Sequence, residues 1–147
     1  AIGAKLHMVK PYGFDTSDAA VKKHMKRAGL DYWDKVDIIE YENLEDFKEK
    51  TKGKKIYLLS TKSKKCYTDI EYEDEAYLVF GPETRGLPED FILDNFDNAA
   101  RIPMRDIIRS LNLSNAVAIV AYEAERQLNY KNLLDVSPYF DEKLKIK

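Results

Sequence analysis

Short apolar runs alternate with segments of helical periodicity along most of the chain, and this alternation limits the fold to a few classes. Apolar runs that predict strands lie at residues 4–9, 36–41, 55–60, 76–80 and 100–102. Segments that predict helices lie at residues 16–28, 44–50, 88–95 and 112–128. Because the central runs are apolar throughout, both faces of their sheet need cover. The pattern predicts an α/β fold, with a mostly parallel sheet covered by helices on both faces.

Length and composition are typical of one cytoplasmic domain. The 147 residues, of which 44% are apolar and 34% charged, predict a single domain over residues 1–147 with a polar tail at 132–147. The sequence contains no run of 18 apolar residues, and nothing in it resembles a signal peptide. Cys66 is the only cysteine, which excludes a disulfide within the chain and favours a cytoplasmic location. Two histidines and one cysteine make no metal-ligand spacing, so no metal is expected.

Basic residues are clustered although the net charge is only −2. Seven lysines and no acid lie between Lys50 and Lys65, a second cluster lies at residues 22–27, and Arg101, Arg105 and Arg109 form a third. Such clusters suit contacts with phosphates. The alternative, which has somewhat more weight for any single cluster, is an ordinary solvated surface.

Three loops follow predicted strands at the edge where open α/β sheets bind ligands. They are Ser60-Thr61, Gly81 to Gly86, and Pro103 to Ser110. The middle loop, FGPETRG, matches neither a dinucleotide fingerprint nor a P-loop. Its glycines permit a sharp turn and a close approach of backbone to a ligand, and the neighbouring prolines stiffen it. The alternative is a rigid strand-to-helix turn without a ligand.

Small polar residues crowd the predicted start of the last helix. Ser110, Asn112, Ser114 and Asn115 can each cap a helix, and Arg109 lies beside them. One capping residue is enough for one helix. The excess therefore favours a polar ligand at this end, with capping alone as the alternative.

Taken together, these loops resemble a known family. The chain contains LVFGPETRGLP, then RIPM about 20 residues later, then RSLNLSNAVAIVAYEAERQL. KPYGF, KRAGLDYW and KIYLLSTK extend the resemblance over residues 4 to 131. These motifs resemble those of the SPOUT-class RNA 2′-O-methyltransferases. Within that class the chain is most similar to the small tRNA (cytidine/uridine-2′-O)-methyltransferases that act at the wobble position.

The resemblance implies a fold, a cofactor and a set of site residues. It implies a C-terminal deep trefoil knot that binds S-adenosylmethionine without a metal. The cofactor-binding positions that it implies are Leu59, Gly81, Glu83, Gly86, Ile102, Met104, Ser110 and Leu111. It implies that Arg109, Ser110 and Asn112 orient the reacting ribose or its phosphate. Tyr122 is a further motif position that meets substrate or a partner subunit, or else is a partly buried helix tyrosine.

The resemblance also implies partners, namely a second copy of the chain in a homodimer and the anticodon stem-loop of tRNA. The two lysine clusters would then contact phosphates. The family begins with a strand, an Asn-Thr-Gly-Asn-type turn and an arginine-bearing helix, and the sequence as given does not contain them before Ala1. We therefore expect an N-terminal strand and helix to be missing. Two alternatives remain, namely a catalytically impaired RNA-binding module of the same fold and an unrelated nucleotide-binding α/β domain.

Overall fold

A computed structural model describes residues 2–12, 35–131, 133 and 134, which group into two compact units, residues 3–54 and residues 55 onward. The first unit contains strands β1 (Leu6–Val9) and β2 (Ile38–Tyr41), which pair in parallel, and helix α1 (Leu44–Lys50). Asn43 caps α1, because its side-chain oxygen accepts a hydrogen bond of 2.8 Å from the Asp46 N–H.

The second unit is built on a four-stranded parallel sheet. Its strands are β3 (Ile56–Leu59), β4 (Lys65–Cys66), β5 (Tyr77–Phe80) and β6 (Ala99–Arg101), arranged in the order β4-β6-β3-β5. Every pairing is parallel. Helix α2 (Glu89–Asp94) follows β5, and helix α3 (Leu113–Gln127) follows β6.

Helix α3 packs on a core beneath this sheet. Val120 is fully buried in a cluster with Tyr57, Ile70, Tyr72 and Ala100, and Ala124 packs against the same cluster. The Gln127 side chain anchors the C-terminal end of α3, since its amide donates to the Ile70 carbonyl at 2.9 Å and its oxygen accepts from the Tyr72 N–H at 3.0 Å. The apolar contacts along α3 and this polar anchor fix the helix against the rest of the second unit.

The predicted α/β class with parallel strands is confirmed, and the described elements lie within two residues of their predicted ends. The helix predicted at residues 16–28, the cluster at 22–27 and nearly all of the predicted tail lie outside the described residues. The sequence did not predict β4, because two residues are too few for a hydrophobic pattern. Within α3, Val117 is 39% exposed, whereas Val120 and Ala121 are buried.

Candidate functional site

A cavity of about 260 Å³ lies where three neighbouring strands of the second unit end. Strands β6, β3 and β5 are adjacent and parallel, so the loops that follow them meet at one edge of the sheet. Each of the three loops contributes to the cavity wall, and the first turn of α3 completes it. The expectation that these loops lie together is confirmed.

All eight positions expected to bind the cofactor line this one cavity. They come from four separate segments of the chain: Leu59; Gly81, Glu83 and Gly86; Ile102 and Met104; Ser110 and Leu111. Leu59, Ile102 and Leu111 supply apolar wall, and Glu83 and Ser110 supply polar groups. An apolar cavity with a few polar groups is the usual form of a small-molecule site.

The loop after β5 folds back on its own backbone. The Gly86 N–H donates to the Pro82 carbonyl at 2.9 Å, and Gly86 has a φ of +70°, which favours glycine. Gly81 lies so close to the returning chain that an added Cβ would be 2.3 Å from the Gly86 carbonyl carbon and 2.4 Å from the Leu87 nitrogen. The two glycines therefore allow the loop to close, and the closed loop forms one wall of the cavity.

The N-terminus of α3 is satisfied from within the protein. The Asn112 side-chain oxygen accepts from the Ser114 N–H at 3.0 Å and from the Asn115 N–H at 3.4 Å. The Glu83 carboxylate accepts from the Leu113 N–H at 3.3 Å. Capping by Asn112 is thus confirmed, and Glu83 joins the loop after β5 to the start of α3. A ligand at this end would contact side chains and loop groups rather than these three N–H groups.

The residues expected to act on the ribose are less closely grouped. Ser110 lines the cavity. Arg109, directly before it, and Asn112, two residues after it, are exposed and are not part of the wall. Tyr122 lies further along α3, away from the cavity wall, with 49% of its surface exposed. This exposure fits both interpretations of Tyr122, as a partly buried helix tyrosine and as a contact for substrate or a partner subunit.

Two of the three charged side chains in the cavity wall were not predicted from the sequence. The titratable side chains in the wall are Lys62, Glu83 and Arg85. The Lys62 ammonium donates a hydrogen bond to the Glu89 carboxylate, and this bond holds the pKa of Glu89 below its usual value. Lys62 and Arg85 were not singled out individually, although Arg85 lies in one of the three loops and Lys62 directly follows another. Their position directly beside Thr61 and Gly86 was the available signal.

The described residues also bear on metal binding and on membrane insertion. Within residues 2–12, 35–131, 133 and 134, no three side chains among His, Cys, Asp and Glu are grouped as metal ligands would be. In the same part of the chain, every helix is too short or too polar to span a bilayer.

The chain is similar in sequence to a family of RNA methylases. Residues 1–122 match the SpoU rRNA Methylase family. A protein of Listeria monocytogenes serotype 4b (strain F2365), provisionally named a tRNA (cytidine(34)-2′-O)-methyltransferase, is 47% identical over 95% of this chain and 81% of its own length. A tRNA (cytidine(34)-2′-O)-methyltransferase of Saccharophagus degradans (strain 2-40 / ATCC 43961 / DSM 17024) is 41% identical over 87% of this chain and 81% of its own length.

Solved structures are similar as well. A provisionally named RNA methyltransferase from Bacillus anthracis superposes with a TM-score of 0.79 and 48% identity, covering 91% of this chain and 84% of its own. A structure solved to explain the 2-OH methylation of C/U34 on tRNA gives a TM-score of 0.75 and 39% identity. The match covers 86% of this chain and 80% of that one. An AdoMet-bound rRNA methyltransferase from Sinorhizobium meliloti superposes with a TM-score of 0.65 and 27% identity. The match covers 86% of this chain and 48% of that one.

The family match extends over the strands, the three loops and the start of α3 that together form the cavity. The sequence relatives cover nearly the whole chain at more than 40% identity. On this evidence the resemblance seen in the motifs is confirmed, and the chain belongs to the SpoU rRNA methylase family.

Proposed function

We propose that this protein transfers a methyl group from S-adenosylmethionine to the ribose 2′-hydroxyl of the wobble nucleotide, cytidine or uridine 34, of tRNA. The observation that carries the proposal is the convergence of eight motif positions, from four chain segments, on one cavity. The relatives named for methylation at position 34 supply the acceptor. The AdoMet-bound structural relative supplies the methyl donor.

The cavity suits a nucleoside that carries an amino-acid tail. Its volume of about 260 Å³ is slightly below the roughly 300–1,000 Å³ typical of small-molecule pockets. Such a cavity encloses part of the ligand and leaves the rest at the surface. Leu59, Ile102 and Leu111 would cover a planar base on its faces. Backbone groups of the loop after β5 would contact its polar edge, because the fold of that loop places backbone in the wall.

The residues of the chain would act mainly by alignment. S-adenosylmethionine, when bound, supplies an electrophilic methyl group on a sulfonium. Ser110 lies in the wall and can hydrogen-bond the ribose, and Arg109 beside it can hold the adjoining phosphate. Alignment of two reacting groups contributes several kcal/mol to catalysis, up to about 7–11 in the best cases. Removal of the 2′-hydroxyl proton by a general base contributes typically about 10²–10⁴-fold.

Contacts with tRNA phosphates are part of the same proposal. Several lysines of the Lys50–Lys65 segment have partners within the protein, since Lys50 binds Asp46, Lys55 binds Glu73 and Lys62 binds Glu89. These pairs neutralise three of the seven lysines in the segment. We therefore assign phosphate contact first to Arg85 in the cavity wall, and this contact positions the RNA without specifying its sequence.

A homodimer and a trefoil knot are the two finer structural proposals. Exposed apolar residues on α3, namely Val117, Ile119 and Tyr122, support a contact between two copies of the chain. The knot is supported by the position of β6 between β3 and β4, because the five residues that join β3 to β4 must cross the end of β6. Sedimentation of the purified protein tests the first proposal, and an experimental chain trace tests the second.

The proposed function is tested in two steps. Calorimetric titration of the purified chain with S-adenosylhomocysteine should give saturable binding at one site per chain. Methyl transfer should then be measured on a tRNA with an ordinary ribose at position 34 and on the same tRNA with 2′-deoxyribose there. We expect methylation of the first tRNA only. Equal labelling of both would exclude the 2′-hydroxyl of nucleotide 34 as the acceptor.

The same experiment separates the two alternatives. An RNA-binding module that has lost catalysis would bind tRNA in a salt-dependent manner without methyl transfer. An unrelated nucleotide-binding domain would not bind S-adenosylhomocysteine, and the family match argues against it.

A further inference from the structure

The segment Arg105–Arg109 forms a tight turn between two cavity-lining residues. Met104 before it and Ser110 after it both line the cavity. The Ile108 N–H donates to the Arg105 carbonyl at 3.0 Å, and this bond places Asp106 and Ile107 at the tip of the turn. All five residues of the segment are exposed.

The turn exposes two consecutive isoleucines, and an arginine lies at each end of the segment. Ile107 is 78% exposed and Ile108 is 48% exposed. A single exposed isoleucine needs no explanation, but two in succession on a turn that starts and ends at a ligand cavity are unusual. Arg105 and Arg109 flank them, so the segment has two positive charges and the one negative charge of Asp106, which leaves a net charge of +1.

A single-stranded RNA loop offers the two surfaces that complement this turn, namely phosphates and the apolar faces of unstacked bases. We propose that Arg105–Arg109 is an RNA-binding turn in which Ile107 packs against an unstacked base of the anticodon loop and Arg105 contacts a phosphate. This inference rests on the proposed function, since it takes the same RNA as the substrate. It adds a substrate contact outside the cavity and places that contact next to Ser110.

Leu93 provides a matched control on the same unit. It is 67% exposed, so its replacement removes a similar amount of exposed apolar surface. Its neighbours along the chain include Asp90, Asp94 and Asp97, and no cavity-lining residue adjoins it. An acidic surrounding of this kind repels RNA. Replacement of Leu93 therefore measures the general effect of losing exposed apolar surface, without the loss of an RNA contact.

The test compares Ile107→Ser with Leu93→Ser in the full chain, after circular dichroism has shown that both variants are folded. We expect Ile107→Ser to weaken binding of unmodified tRNA about tenfold, because partial burial of one isoleucine corresponds to roughly that factor. Leu93→Ser should bind tRNA like the wild type. Both variants should bind S-adenosylhomocysteine like the wild type.

Arg105→Gln supplies a second readout. The slope of log K for tRNA binding against log[salt] should become less negative by about 1, as expected for the loss of one phosphate contact. An unchanged slope would remove Arg105 from the RNA contact.

Three outcomes would overturn the inference. Wild-type tRNA affinity in Ile107→Ser would exclude a base contact, and reduced self-association of that variant would assign the turn to a contact between two copies of the chain. A wild-type chain that binds no tRNA would overturn both this inference and the proposed function. If the wild type methylates tRNA and binds S-adenosylhomocysteine while Ile107→Ser behaves normally, only the inference fails.

Discussion

The backbone of Gly86 occupies the space that a side chain on Gly81 would need. A Cβ on Gly81 would lie 2.3 Å from the Gly86 carbonyl carbon, well inside van der Waals contact. From the sequence, both glycines were expected to allow backbone to approach a cofactor. The structure shows that at Gly81 the approaching backbone belongs to the protein itself. Gly81 therefore shapes the cavity wall by letting the loop close.

Replacement of Gly81 by alanine should destabilise the protein much more than replacement of Gly86. Gly81→Ala forces a backbone displacement, and we expect a loss of about 3 kcal/mol or more in the free energy of unfolding. Gly86→Ala meets nothing within 4 Å and has only the strain of its φ of +70°, so we expect a loss of about 1 kcal/mol. Urea unfolding of both variants measures the difference. Equal losses would mean that the loop relaxes around the new methyl group.

Any folded Gly81→Ala protein should also bind S-adenosylhomocysteine less tightly, because an altered loop alters one wall of the cavity. Calorimetry on the folded fraction checks this expectation. Wild-type affinity in a folded variant would separate Gly81 from the ligand site.

Glu83 should contribute to stability through the start of α3. Its carboxylate accepts the Leu113 N–H at 3.3 Å, and a negative charge near a helix N-terminus is favourable. Glu83→Ala removes the acceptor, and because the residue is exposed we expect a loss of only about 0.5–1 kcal/mol. Glu83→Gln keeps an acceptor oxygen and should lose less. Urea unfolding, together with amide exchange at Leu113, measures both effects.

Equal losses of stability in Glu83→Ala and Glu83→Gln would also be informative. If Glu83→Gln lost as much stability as Glu83→Ala, the charge rather than the hydrogen bond would account for the contribution of Glu83.

Hydrophobic pattern predicted the strands and helices well, most clearly where an apolar run packs into the core of the second unit. Val120 and Ala100 are examples of such positions. Pattern alone could not identify the cavity positions. Those came from the motif resemblance, since the wall combines four segments that are brought together only by the order of the strands.

Tertiary contacts that no local pattern encodes were missed. Gln127 reads as an ordinary helix residue in the sequence, yet it binds the backbone at Ile70 and Tyr72, more than 50 residues away. The bond from Leu113 to Glu83 spans 30 residues in the same manner. Sequence spacing gives no signal for such contacts, because they depend on where the folded chain returns.

Tyr72 should make the protein sensitive to alkaline pH. Only 6% of its surface is exposed, and burial raises its pKa well above the ordinary value, while its hydroxyl donates to the Tyr67 carbonyl at 2.9 Å. An unfolded tyrosine ionises near pH 10, so above that pH the unfolded chain binds fewer protons than the folded one. The contribution of Tyr72 to the free energy of unfolding is complete below about pH 10. It declines as pH rises further, by up to about 1.4 kcal/mol per pH unit.

Urea unfolding between pH 8 and pH 11 measures this decline. Tyr72→Phe should lower the stability at pH 8 by about 1 kcal/mol, through loss of the hydrogen bond, and should flatten the decline above pH 10 by about one proton. Parallel curves for the two proteins would show that Tyr72 does not account for the alkaline loss.

Asn112 offers a way to separate capping from catalysis. Its side-chain oxygen accepts from the N–H groups of Ser114 and Asn115, so Asn112→Ala should cost about 1 kcal/mol of stability. Asn112→Asp keeps an oxygen at the capping position and adds a charge that the helix N-terminus favours, so its stability should match the wild type. We expect the rate of methyl transfer in Asn112→Ala to fall by more than the loss of folded protein explains. The rate should fall in Asn112→Asp as well. The reason is that a carboxylate cannot donate to the ribose or its phosphate. Methyl transfer at the wild-type rate in a fully stable Asn112→Asp would restrict Asn112 to capping.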